Sequence, residues 1–110
     1  MDSVLTKSCP LCRFQKAVGG KWKPYLLCLL SDKTMRFNEI YKVTPGITQA
    51  MLTRQLRELE ETGIVFRNAY PEIPPKVEYS LTERGASILP VLKSMAEWSQ
   101  ANLTESVQNA

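Results

Sequence analysis

The chain has 110 residues, 44% of them hydrophobic and 23% charged, with a formal net charge of +3, a composition that fits one small globular domain of marginal stability. The absence of histidine removes the commonest general base and metal ligand and excludes a Ser-His-Asp or Cys-His arrangement within the chain. Three cysteines are the wrong number for a secreted disulfide framework, and neither a membrane-length apolar run nor a signal-type segment in Met1–Lys7 is present, so a cytoplasmic location with no membrane partner is expected.

Charge is unevenly spread. Residues 1–57 carry ten Lys or Arg against three acids, whereas residues 58–110 carry four against eight. Such a split points to a one-sided positive surface of the kind that meets nucleic acid, although solvated faces that differ by chance give the same count.

Cys9-Pro10 opens the first helix, since Pro suits a first-turn position whose N–H has no partner. Leu11, Phe14 and Val18 recur at helical spacing and Gly19-Gly20 ends the run. A second helix, Trp22 to Leu30, is apolar nearly all round and belongs at the centre of the core. On this reading Cys28 is a buried, inert thiol. Ser31-Asp32-Lys33 is a turn and Met35-Arg36 a very short strand.

Phe37 to Val43 forms a short third helix, broken at Thr44-Pro45-Gly46. Thr48 is a good N-cap for the next helix, which runs to about Thr62 and stops at Gly63. Its apolar stripe is Leu52, Leu56 and Leu59, with Gln49, Ala50, Thr53, Arg54 and Arg57 on other faces. The period then changes to two. Ile64 to Tyr70 and Lys76 to Leu81 read as a hairpin around the stiff connection Pro71 to Pro75. Thr82 caps a last helix, in which Pro90 is expected to cause a bend or a restart. A polar tail follows from about Thr104.

The order is short helix, tight break, capped helix, hairpin: a helix-turn-helix with a wing. The fold class is mainly α with a small antiparallel β hairpin, in one domain over residues 1–110. The wing lies at about 64–81. A major groove about 12 Å wide accepts one helix by its N-terminal residues, here Thr48, Gln49, Ala50, Thr53 and Arg54. Gln can pair an adenine edge and Arg a guanine edge, and Ala or a Thr methyl can pack on thymine. A merely solvent-facing polar surface has the same residues. Glu58, Glu60 and Glu61 would repel phosphate, so the first half of this helix is the half expected to approach DNA.

The segments GGKWKPYLLCLL (19–30), RFNEI (36–40), PGITQAMLTRQLRELEETGIV (45–65), YPEIPPKVEYSLTERG (70–85) and LPVLKSMAEW (89–98) resemble the HxlR-type winged-helix regulators of bacteria. The resemblance covers the chain from Cys9 to Trp98. It implies a winged helix with extra N- and C-terminal dimerisation helices, at about 10–18 and 83–103. It also implies a homodimer on a palindromic double-stranded DNA operator, and repression as the commoner outcome. It places Thr48, Gln49, Thr53, Arg54 and Arg57 on the recognition helix, Arg36 near the DNA backbone, and Lys76 in the wing toward phosphate or the minor groove. The dimer contacts it implies are Leu11, Phe14 and Val18 with Leu89, Leu92, Met95 and Trp98, which can equally pack on their own domain.

Members of that family usually carry a cysteine before the first helix, and in several it senses oxidants or electrophiles; Cys9 matches. A thiol at a helix N-terminus gains from the dipole, and Lys7, Arg13 and Lys16 lie nearby in sequence. Cys12 makes a C-x-x-C pair, capable of forming a redox dithiol. With no second pair and no His, no metal and no cofactor are expected. A small-molecule effector between the dimer helices is left open. So are a winged helix that binds protein rather than DNA and, remotely, a small thiol-disulfide oxidoreductase.

Overall fold

In a computed structural model of the chain, residues 9–103 are described; Lys7 and the polar tail from Thr104 lie outside them. Helix α1 (Pro10–Val18) begins at N-cap Cys9. Helix α2 (Lys23–Asp32) absorbs residues 31 and 32, which the sequence reads as a turn. Strand β1 (Met35–Arg36) leads into α3 (Phe37–Lys42), and α4 (Gln49–Glu61) follows the break. Strands β2 (Val65–Tyr70) and β3 (Lys76–Leu81) make the hairpin, and α5 (Glu83–Asn102) completes the described chain. This is the expected winged helix, with α3–α4 as the helix-turn-helix.

The core is a single cluster. Leu26, Leu27 and Leu30 of α2 meet Ile40 of α3, Leu52, Leu56 and Leu59 of α4, and Ile64, Val65 and Tyr79 of the hairpin. Helix α2 is thus central but not enclosed. Tyr25 and Cys28 on its other side are exposed, which corrects the expectation of a buried Cys28: the run is apolar all round, yet only one face is covered by this chain.

The sheet has three antiparallel strands in the order β1-β3-β2. Met35 stands opposite Tyr79 and Arg36 opposite Glu78, while Val65 to Tyr70 pair with Leu81 to Lys76. The short first strand therefore ties the entrance of α3 to the middle of β3 in the wing.

Two glycines are fixed by geometry. Gly63 adopts φ +77°, the left-handed conformation that ends α4. Gly85 is buried, and a Cβ there would lie 2.3 Å from the carbonyl oxygen of Ile64. Pro90 does not restart the last helix: α5 runs unbroken through it for 20 residues. Its solvated position lets the helix tolerate one missing backbone donor. Only Gly85 of α5 is fully buried, while Ile88 and Leu92 rest on the core.

Candidate nucleic-acid interface

Helix α4 is held by its apolar stripe and presented by its cap. Thr48 Oγ1 accepts the N–H of Met51 at 3.1 Å, and Leu52, Leu56 and Leu59 turn inward. Thr48, Gln49, Ala50, Thr53, Arg54 and Arg57 are all exposed, and so remain on the outer surface. The hydroxyl of Thr53 donates to the carbonyl of Gln49 at 2.9 Å. That leaves its methyl and its oxygen lone pairs as the outward chemistry.

The wing stands beside this surface. Thr53 and Arg57 share a cleft of about 390 Å3 with Arg67 of β2. Arg36 and Lys76 line a second, larger cleft of about 690 Å3, together with Lys33. The fold thus brings together basic residues far apart in sequence, in one cleft between α4 and the wing and in another between the start of α3 and the wing. Lys33 and Arg67 were not among the expected site residues; they stand on a turn and a strand, where no helical stripe marks them out.

Not every basic side chain here is free. Lys76 Nζ lies 3.6 Å from a Glu78 carboxylate oxygen and 4.8 Å from the Tyr70 ring centroid. Tyr70 has its hydroxyl pushed up from the ordinary value, first by a hydrogen bond to Glu78 and then by burial. Arg36 is exposed, and its backbone N–H donates to Glu39 at 2.8 Å, closing the start of α3.

One of the three acids of α4 expected to repel phosphate has partners of its own. Glu58 is no free repulsive charge. One oxygen takes Lys23 Nζ at 2.8 Å and the other takes Arg54 Nε at 3.2 Å. These bonds, Lys23 first and Arg54 second, hold its carboxyl below the usual value. The i, i+4 spacing of Arg54 and Glu58 was visible in the sequence; the partnership with Lys23 requires the fold.

At the opposite side, α1, α2 and α5 surround an apolar groove of about 450 Å3, lined by Phe14, Tyr25, Cys28, Leu92 and Met95 among others. Leu11 is 77% exposed and Trp98 61%, and Leu89 is half-buried. Val18 is not available as a contact. It is completely buried in the core, so this chain has already used the surface assigned to a partner.

Cys9 and Cys12 are both partly exposed at the start of α1. The Cys9 thiol is held below its ordinary value, chiefly by the backbone N–H groups of Cys12 and Leu11, with help from the Cys12 side chain and the charge of Arg13. Cys12 moves the other way, through burial and then its contacts with Cys9. Among the described residues no group of three or more His, Cys, Asp or Glu side chains can hold a metal ion, and no helix is long and apolar enough to cross a membrane.

This architecture has close counterparts. The HxlR-like helix-turn-helix family matches residues 17–107. An HTH-type transcriptional regulator of Methanothermobacter thermautotrophicus is 54% identical over 91 residues, covering 80% of this chain and 70% of the relative. The regulator YybR of Bacillus subtilis is 49% identical over 96 residues, covering 87% of this chain and 77% of that one. Among solved structures, the redox regulator HypR in its oxidised form superposes with a TM-score of 0.80 at 49% identity, over 87% of this chain and 99% of HypR. The family and these relatives are regulators of transcription rather than enzymes. With the motif, the wing and the sequence match in agreement, the chain belongs to the HxlR-like helix-turn-helix family and is a transcriptional regulator.

Proposed function

We propose that this regulator is a homodimeric repressor that reads a palindromic DNA operator and is controlled through oxidation of Cys9. The observation that carries the DNA reading is the exposed first half of α4. There Gln49, Ala50, Thr53 and Arg54 stand outward from a helix locked by three buried leucines. A helix N-terminus with free donors favours phosphate, and the outward side chains match base edges. Arg36, Arg57 and Lys76 serve the DNA backbone on either side, with Lys76 exchanging its Glu78 contact for phosphate.

The dimer reading rests on the apolar surface of α1 and α5. Leu11, Met95 and Trp98 are exposed, with Phe14, Leu89 and Leu92 half-buried behind them. One recognition helix reads few base pairs, whereas a two-fold pair reads two half-sites about 34 Å apart. The groove with Cys28 on its wall is the place for a small-molecule effector.

For control, the Cys9 thiolate attacks a hydroperoxide, giving sulfenic acid and releasing the alcohol or water. Cys12, or a cysteine of the partner subunit, then displaces hydroxide to form a disulfide. The solved oxidised form of HypR supports this reading by similarity.

The test is selection of bound sequences from random DNA, followed by binding titrations at several salt concentrations. Affinity falls steeply with salt, and Arg54→Ala costs about 1–3 kcal/mol on the selected operator. Salt-independent binding, or no selected sequence, overturns the DNA reading. A reporter placed behind the operator rises on deletion of the regulator if it represses. Unchanged operator binding after verified oxidation of Cys9 overturns only the redox reading.

A further inference from the structure

Among the described residues, Lys23 is the one charged side chain that is buried, 8% exposed at the first turn of α2. A buried ammonium is kept only with a partner, and its partner is Glu58 Oε1 at 2.8 Å. The second oxygen of the same carboxylate accepts from Arg54 Nε at 3.2 Å, and the Arg54 side chain is 70% exposed. A rigid cation in the domain thus fixes a carboxylate, which in turn grips a guanidinium that reaches into solvent from the front half of α4.

The atom that is gripped matters. A guanidinium has five N–H donors, one on Nε and four on the two terminal nitrogens. With Nε occupied by Glu58 and the side chain 70% exposed, the terminal nitrogens remain as a planar fork of donors, the form that meets O6 and N7 of guanine. An ungripped arginine of the same length reaches phosphate as readily as a base edge.

We propose that Glu58 is a positioning residue for Arg54: anchored by Lys23, it holds the guanidinium by Nε and so sets a preference for guanine at one position of each half-site. This rests on the reading of α4 as the recognition helix. It also reverses the role of Glu58, from an acid that keeps DNA away to one that sharpens what the helix reads.

The role separates from ordinary structural support because it has two effects of opposite sign. Glu58→Gln removes a negative charge beside DNA, so binding to unrelated sequence strengthens. The same change frees Arg54, so discrimination at its base weakens. The experiment uses the full chain, the operator selected by the parent protein, and single-base variants of that operator, at one fixed salt concentration. Arg54→Ala first identifies the position whose penalty disappears. At that position Glu58→Gln retains less than about a third of the parent's discrimination, against a full bidentate contact worth roughly 5- to 150-fold. Meanwhile its affinity for random DNA rises about twofold or more. Arg54→Ala combined with Glu58→Gln discriminates no less than Arg54→Ala alone. Lys23→Met, which loses the anchor and keeps the bulk, shifts discrimination in the same direction and guards against poor folding of the first variant.

Parent-like discrimination in Glu58→Gln, or an equal loss on all sequences, overturns the positioning role while the recognition-helix reading stands. An Arg54→Ala protein that selects every base as the parent does overturns the positioning role together with the base contact assigned to Arg54.

Discussion

Thr82 Oγ1 donates to the carbonyl of Gly63 at 2.6 Å and accepts the N–H of Gly85 at 3.0 Å. One hydroxyl therefore caps α5 and fastens it to the residue that ends α4. A second clasp runs beside it, from Arg84 Nη1 to the carbonyl of Thr62 at 2.8 Å. Thr82→Ala is expected to cost about 1–2 kcal/mol, through the lost cap and an unpaired carbonyl. Thr82→Ser recovers most of it. Urea denaturation of both variants measures the difference, and equal midpoints for Ala and Ser would remove the hydroxyl from the account.

Gly85 is expected to resist even the smallest side chain. A methyl group 2.3 Å from the Ile64 carbonyl oxygen forces α5 off the wing root. Gly85→Ala should destabilise by about 1–3 kcal/mol, although alanine is the better helix former by about 1 kcal/mol. Thermal melting settles the sign, and a stabilised variant would show that the helix can retreat without loss.

If α1 and α5 join two copies, a charge among their exposed apolar side chains should separate them. Trp98→Glu is expected to weaken self-association at least tenfold in analytical ultracentrifugation, while the circular dichroism spectrum stays that of the parent. An unchanged sedimentation coefficient at low concentration would place the dimer contact elsewhere.

The two N-terminal thiols are expected to react at different pH. Cys9 is depressed, so its thiolate persists to lower pH than that of an ordinary cysteine; Cys12 is raised, so its thiolate needs higher pH. In a Cys28→Ser background, iodoacetamide at neutral pH should label Cys9 ahead of Cys12, with the Cys9 rate profile displaced to the acid side. The linked effect on folding has a definite sign. Stability drawn from the Cys9 thiolate is present above the thiol's unfolded value and is lost as pH falls through its folded value. Equal labelling of the two thiols across the range would contradict the asymmetry.

Much of this molecule is written in local pattern. Leu52, Leu56 and Leu59 repeat at helical spacing beneath a threonine cap, and the structure buries these three and exposes Gln49, Ala50, Thr53 and Arg54. The alternation of Val77, Tyr79 and Leu81 marked the wing in the same way. What sequence spacing did not reveal depends on neighbours distant in the chain. Cys28 lies in an apolar helix whose one side this chain leaves uncovered, so its exposure is a property of the packing and not of the run. Val18 was a dimer contact only by resemblance, with packing on its own domain equally open, and it falls on the inner edge of α1 and enters the core. The pairing of Lys23 with Glu58 links residues 35 positions apart, beyond any periodicity.

The pairing of Met35 and Arg36 with Tyr79 and Glu78 carries a mechanical consequence. A hairpin attached only at its two ends can swing on them, and its tip then wanders relative to the reading helix. Here a third strand, continuous with the first helix of the motif, pairs antiparallel along the middle of the hairpin's second strand and braces it. Helix and wing are then held as one caliper with a set jaw width; in the dimer proposed above, a signal that dislodges the protein from its site would have to change the angle between two calipers and not the opening of either.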